Sequence, residues 1–107
     1  MGNNMEYTVK AIIINKDSKI LVLEQVVDGQ TFYTLPGGRI EDEIDEKGEL
    51  KREVMEETGL DIEVDELVGE WMFERKNGRK TICKTYLVKN FSGQFDSSKK
   101  KKYEIIF

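Results

Sequence analysis

The stretch "LPGGRIEDEIDEKGELKREVMEETGL", Leu35 to Leu60, holds nine acidic residues against four basic ones. On a helix turning about 100° per residue, Glu49, Glu53, Glu56 and Glu57 fall within an arc of roughly 100°, with Arg52 at its edge. Like charges four residues apart destabilise a bare helix by about 0.2–0.5 kcal/mol per pair. Such a cluster requires compensation from salt, from Arg52 or from a bound cation. Carboxylate oxygens in this number suit a hard divalent ion, Mg²⁺, Mn²⁺ or Ca²⁺. Spacing alone leaves a second reading open, a solvated helix face on which Arg52 pairs with Glu56.

Other chemistries are excluded more sharply. An EF-hand loop turning at Gly48 would put Lys47 and Val54 at ligand positions. There is no GxGxxG, and Gly37-Gly38-Arg39 lacks the Lys and Ser/Thr of a P-loop. Histidine is absent, so no Ser-His-Asp or Cys-His arrangement exists.

The elements that must position the carboxylates are short. "YTVKAIII" alternates as a strand with Tyr7, Val9, Ala11 and Ile13 on one face, and "NKDSK" (Asn15–Lys19) turns it into "ILVLEQV", predicting a hairpin. "VDGQ" leads to the strand "TFYTL", which Pro36-Gly37-Gly38 ends. Strong helix formers run from about Asp45 to Thr58, with Asp45 as cap and Gly59 as stop. Asn77-Gly78 predicts a second hairpin between "LVGEWMFERK" and "RKTICKTYLVKNF". A turn at Ser92-Gly93, a loop "QFDSSKKKK" and a last strand "YEIIF" complete the chain. Strands on both sides of one central helix predict a mixed α/β domain spanning residues 1–107, with no repeat or linker.

Composition narrows the function classes. The 107 residues suffice for one modest core, with 38% hydrophobic and 36% charged residues. A net charge of −4 argues against a stable nucleic-acid complex, since phosphate backbones favour a basic face. No apolar run nears the roughly 20 residues of a membrane span, and "MGNNMEYTVK" has neither a signal-peptide core nor a myristoylation pattern. Cys83 is the lone cysteine, which makes a cytoplasmic setting the expectation.

Gly38, followed 14 residues later by "REVMEETGL" (Arg52–Leu60), resembles the signature of the Nudix hydrolase family: Gly, a loop, then Arg-Glu-apolar-x-Glu-Glu-x-Gly-apolar. Arg52, Glu53, Val54, Glu56, Glu57, Gly59 and Leu60 all match in type and spacing, and "YTLPGG" resembles the usual entry to this box. The resemblance implies an α/β/α sandwich with a mixed sheet and a loop-helix-loop at its centre. It implies that Glu53 and Glu57 ligate Mg²⁺ (or Mn²⁺), that Glu56 and the Gly38 carbonyl complete the set, and that Arg52 orients the carboxylates. Gly37, Gly38 and Arg39 would bind the substrate, a nucleotide or nucleotide derivative. Water would attack one of its diphosphate phosphorus atoms, making the protein a pyrophosphatase. One position departs from the pattern: Ile44 stands where the loop glutamate belongs, with Glu43 beside it. That change keeps open a second class, a Nudix-like nucleotide-binding module with weakened turnover. Glu49 replaces a small residue and is expected to point outward.

Relatives often add a late carboxylate as base, for which Asp96 and Glu104 are the acidic residues present, Glu104 reading better as a plain strand residue. Lys99–Lys102 reads as a solvated loop. Phe32, Tyr33, Trp71, Phe73 and Tyr86 are candidates to stack on a base, with packing in the core or on a sheet face as the commoner role. Lys10 and Arg39 read either as phosphate contacts or as surface charge. The sequence ends at Ile105, Ile106 and Phe107, where relatives continue into a C-terminal helix. The uncovered apolar edge is expected either to reflect a truncated form or to be buried in a homodimer.

Overall fold

A computed structural model of the protein describes residues 5–41, 45–95 and the backbone of 104–106. Ile44 and Glu43, Asp96, Lys99–Lys102 and Phe107 lie outside the described residues, as do the side chains of Glu104, Ile105 and Ile106.

Seven strands and one helix are described: β1 (Met5–Ile12), β2 (Val22–Val27), β3 (Gln30–Thr34), β4 (Gly37–Ile40), α1 (Glu46–Thr58), β5 (Leu60–Glu74), β6 (Lys80–Gly93) and β7 (Glu104–Ile106). They form a four-stranded sheet in the order β4-β1-β6-β5 and a three-stranded sheet in the order β3-β2-β7. The larger sheet is mixed, because β1 runs antiparallel to β4 and parallel to β6. The expected α/β class with a mixed sheet is therefore present.

Alternation along β1 decides where the helix sits. Val9, Ala11 and Ile13 are fully buried and meet Leu50 and Val54 of α1, together with Ile40, Leu60, Ile62, Tyr86 and Val88. Residues i and i+2 share a strand face, and positions 50 and 54 share a helix face, so one stripe meets one stripe. Fully burying Leu50 and Val54 contributes about 1.5–3 kcal/mol each. Asp45 caps the helix as expected, its Oδ1 accepting from Gly48 N–H at 3.1 Å. At the other end Gly59 adopts a left-handed φ of 84° and its N–H donates to the Met55 carbonyl at 3.0 Å. No helix among the described residues is long and apolar enough to cross a membrane.

Three local expectations are corrected. β1 and β2 do not form a hairpin ladder: the segment between them carries one isolated bridge, Ile14 to Ile20, and β2 belongs to the second sheet. The turn chemistry of Asn15 is real, since its Oδ1 accepts from the N–H groups of Asp17 and Lys19. A tight turn fixes only the nearest pair, however, and β1 already has β4 and β6 as partners. Gly37 and Gly38 end β3 yet immediately start β4, pairing with Lys10 and Val9. Ser92 and Gly93 are no turn but the end of β6, paired with Asp61 and Leu60.

Leu50→Ala is expected to lower unfolding free energy by about 2–5 kcal/mol in chemical denaturation, because it empties the helix–sheet contact. Lys47→Ala, on the outer flank of α1, is expected to stay within about 0.5 kcal/mol.

Candidate functional site

α1 presents its carboxylates in three directions. Glu57 faces the sheet, is 5% exposed, and accepts a hydrogen bond from Gly37 N–H at 2.8 Å. Glu53 lies over Gly38, where a Cβ would come within 2.7 Å of its Oε2. Glu56 turns along the helix and accepts from Arg52 at 2.9 Å, while Glu49 accepts from the same guanidinium at 2.6 Å. Glu49 thus pairs along the helix flank. The hydrogen bond to Glu49 and then that to Glu56 raise the Arg52 pKa above its ordinary value. Arg52 comes no nearer to Glu53 than 4.0 Å.

The glycine pair shapes the floor of the site. Gly37 adopts φ 138°, and a Cβ there would sit 2.0 Å from the Val9 carbonyl oxygen, so only glycine fits. Beside it Arg39 projects from β4, pairs with Glu6 at 3.2 Å, and lines a cavity of about 470 Å³ with Glu41, Glu49 and Arg52. Lys10 is held, half-buried, by Thr34 Oγ1 at 3.1 Å and the Leu35 carbonyl at 3.2 Å. Of the aromatic candidates, Tyr86 alone is buried, whereas Phe32, Tyr33, Trp71 and Phe73 are each about half exposed or more.

Sequence reasoning overlooked the contact that seats the N-terminal end of α1. Glu46 accepts from Lys84 at 2.7 Å and from the Tyr86 hydroxyl, joining the helix to β6. Burial alone would raise the Glu46 pKa, but the Lys84 and Tyr86 hydrogen bonds outweigh it and the net shift is downward. Burial, then the hydrogen bond to Glu46, pushes Tyr86 up to about 12. The alternation of β6 placed Lys84 and Tyr86 on one face; the missing signal was which face α1 would cover.

A NUDIX domain family description matches residues 5–104. The chain belongs to the Nudix family. A "MutT-like protein" of Streptomyces ambofaciens is 41% identical over 63 residues, which is 58% of this chain and 39% of that protein. The chain therefore spans about two fifths of the length of the curated relative it matches. The solution structure of the E. coli ORF135 protein superposes with a TM-score of 0.78 at 27% identity, over 94% of this chain and 72% of that one. The crystal structure of the MutT NUDIX hydrolase from Burkholderia pseudomallei gives 0.72 at 22% identity, over 94% and 81%, a likeness of fold. Nudix hydrolases as a family need a divalent metal and act on nucleotide derivatives.

The donor chemistry of this chain fits such an ion. Glu53, Glu56, Glu57 and the Gly38 carbonyl offer only hard oxygens, and Gly38 leaves the space beside Glu53 that a side chain would fill. Among the described residues no three acidic side chains are already gathered in ligand geometry. Glu56 is held by Arg52 at 2.9 Å. That pair is exposed, and such pairs contribute only about 0–1 kcal/mol, so the hold is weak.

Two outcomes follow for the site. Gly37→Ala is expected to destabilise the protein severely in thermal melts, because its Cβ meets backbone, whereas Gly38→Ala displaces only the flexible end of Glu53 and stays within about 1 kcal/mol. In a spectroscopic titration, one tyrosine is expected to ionise near pH 12, and Tyr86→Phe should remove that step. Because the folded pKa is raised from 10.0, the stability held by neutral Tyr86 is complete below pH 10 and is lost as pH rises through about 12.

Proposed function

We propose that the protein hydrolyses a diphosphate bond in a nucleoside diphosphate linked to a further group, with Mg²⁺ as cofactor and Mn²⁺ as the alternative. The observation that carries this reading is the seating of Glu53 and Glu57 against Gly38 and Gly37, which joins the helix of the signature to its glycine loop. Glu53, Glu56, Glu57 and the Gly38 carbonyl would hold the ion. When bound, such an ion would supply positive charge against the diphosphate and make the attacking water more acidic.

The chain's own residues have separable parts in this reading. Glu57 fixes the loop through Gly37 N–H, so that ligand oxygens and diphosphate meet at one place. Arg52 spaces Glu49 from Glu56 and limits their repulsion while the site is empty of substrate. Gly38, half-buried, would meet the phosphates through its backbone, while Gly37 keeps the loop closed on Val9. Arg39, exposed at the wall of the cavity, contacts the substrate's phosphate oxygens. The single thiol, Cys83, is buried and fits a reducing cytoplasmic setting.

A second reading is favoured by Ile44, which removes the loop glutamate of the signature: a module that binds nucleotide and cation but turns over slowly. Product analysis separates the two. Nucleoside triphosphates, nucleoside diphosphate sugars and dinucleoside polyphosphates are incubated with and without Mg²⁺. Release of phosphate, pyrophosphate or a nucleoside monophosphate from at least one, only with the metal, is expected. Glu53→Gln and Glu57→Gln should each lower that rate at least a hundredfold, and an unchanged rate in both rejects the assignment.

A further inference from the structure

β1 has a second face, turned away from α1. Cross-strand partners project to the same side of a sheet. On this face Glu6 stands beside Thr81, Thr81 beside Phe73, and Thr8 beside Arg39. Three guanidinium groups converge on the single carboxylate of Glu6. Arg79 lies at 2.6 Å, Arg39 at 3.2 Å and Arg75 at 3.4 Å. They come from β4 and from the β5–β6 turn, so distant parts of the chain meet on one acid.

The arrangement is built rather than loose. Arg75 Nε also donates to Thr81 Oγ1 at 3.0 Å, and its guanidinium carbon lies 5.6 Å from the Phe73 ring centre. Arg75 N–H donates to the Arg79 carbonyl and Gly78 N–H to the Arg75 carbonyl, so the turn holds both arginines at one end. Glu6 is only 12% exposed, while Arg39, Arg75 and Arg79 are 66%, 49% and 49% exposed. The acid is thus underneath and the cations face water. The hydrogen bond from Arg79, aided by the charges of the other two arginines, keeps the Glu6 pKa below its ordinary value.

Three positive charges against one negative leave a formal excess of two, in a chain whose net charge is −4. The turn sequence "RKNGRK", Arg75 to Lys80, adds Lys76 and Lys80 and contains no acid. If these arginines served only to tie strands together, one partner would suffice for Glu6. A planar guanidinium presents several donors in a fork that matches phosphate, and all three side chains here are about half exposed or more. Arg39 also lines the cavity that Glu49 and Arg52 share, which makes the cluster continuous with the candidate site.

We propose that Arg39, Arg75 and Arg79, seated on Glu6, form a second anion site that takes a phosphate group of a small polyphosphate-bearing molecule, beyond the bond cut at the glutamates. Its link to turnover rests on the hydrolase reading, but its binding does not. The test is therefore calorimetric titration with inorganic tripolyphosphate and separately with ATP, at low salt in EDTA, where metal held by the glutamates makes no contribution. Tripolyphosphate is expected to bind the unaltered protein, and Arg75→Gln/Arg79→Gln to weaken that binding at least tenfold. Arg79→Gln alone should weaken it less but in the same direction, and serves if the double variant does not fold. Glu6→Gln should bind as tightly as the unaltered protein or more tightly, an outcome that a purely strand-tying role would not give. A similar tenfold loss with ATP assigns the site to nucleotide phosphates, and a loss with tripolyphosphate only assigns it to inorganic polyphosphate. Lack of binding by the unaltered protein overturns the proposal. So does equal affinity in the double variant, or an equal loss in the control Lys16→Gln/Lys19→Gln, whose charges lie exposed elsewhere.

Discussion

A buried carboxylate accepting one backbone N–H holds the molecule's central geometry: Glu57 on Gly37, at 2.8 Å. A hydrogen bond to a charged group contributes about 1.5–3 kcal/mol, and stranding a buried carboxylate without its donor costs more. The bond ties the last turn of α1 to the first residue of β4. Gly37 is in turn locked against Val9, and the neighbouring Ala11 N–H donates to the Pro36 carbonyl at 2.9 Å. Helix, loop and central strand therefore cannot shift independently. With that anchor in place the helical period puts Glu53 over Gly38 without further machinery.

Charge explains why the remaining glutamates are arranged differently. Glu49, Glu53 and Glu56 repel one another, and Arg52 satisfies only the outer two, at 2.6 and 2.9 Å. The inner one, Glu53, stays 4.0 Å from the guanidinium and rests against the glycine loop. Arg52 thus engages Glu49 and Glu56 and leaves Glu53 to the glycine loop. At the opposite end of the helix, Lys84 and Tyr86 hold Glu46, which ties the N-terminal turn to the sheet. The helix is thus pinned at both ends by acids and packed in the middle by Leu50 and Val54.

Much of this was legible from residue types. Asp45 and Gly59 bounded the helix because capping is local chemistry, and Asn77-Gly78 marked the β5–β6 turn for the same reason. The signature spacing brought Glu53 beside Gly38 and Glu57 onto Gly37, while Glu56 turned to Arg52. What failed was non-local. Nothing in "NKDSK" says that β2 will join the second sheet, because β4 and β6 take both edges of β1. Trp71 and Phe73 read equally as core or sheet-face aromatics, and half exposed on β5 they lie outside the core. Glu6 and its three arginines lie up to 73 residues apart and share no motif, so only the assembled sheet reveals them.

The claim at the centre of this account is that Glu53, Glu56, Glu57 and Gly38 make one divalent-metal site. Titration of isotope-labelled protein with Mn²⁺, read as paramagnetic broadening of backbone amide signals, tests it directly. The account predicts that signals of Gly37, Gly38, Glu53, Glu56 and Glu57 vanish first, at substoichiometric metal, and that Glu53→Gln abolishes this selectivity. Broadening centred elsewhere, or none that distinguishes these residues from the other surface carboxylates, would contradict it.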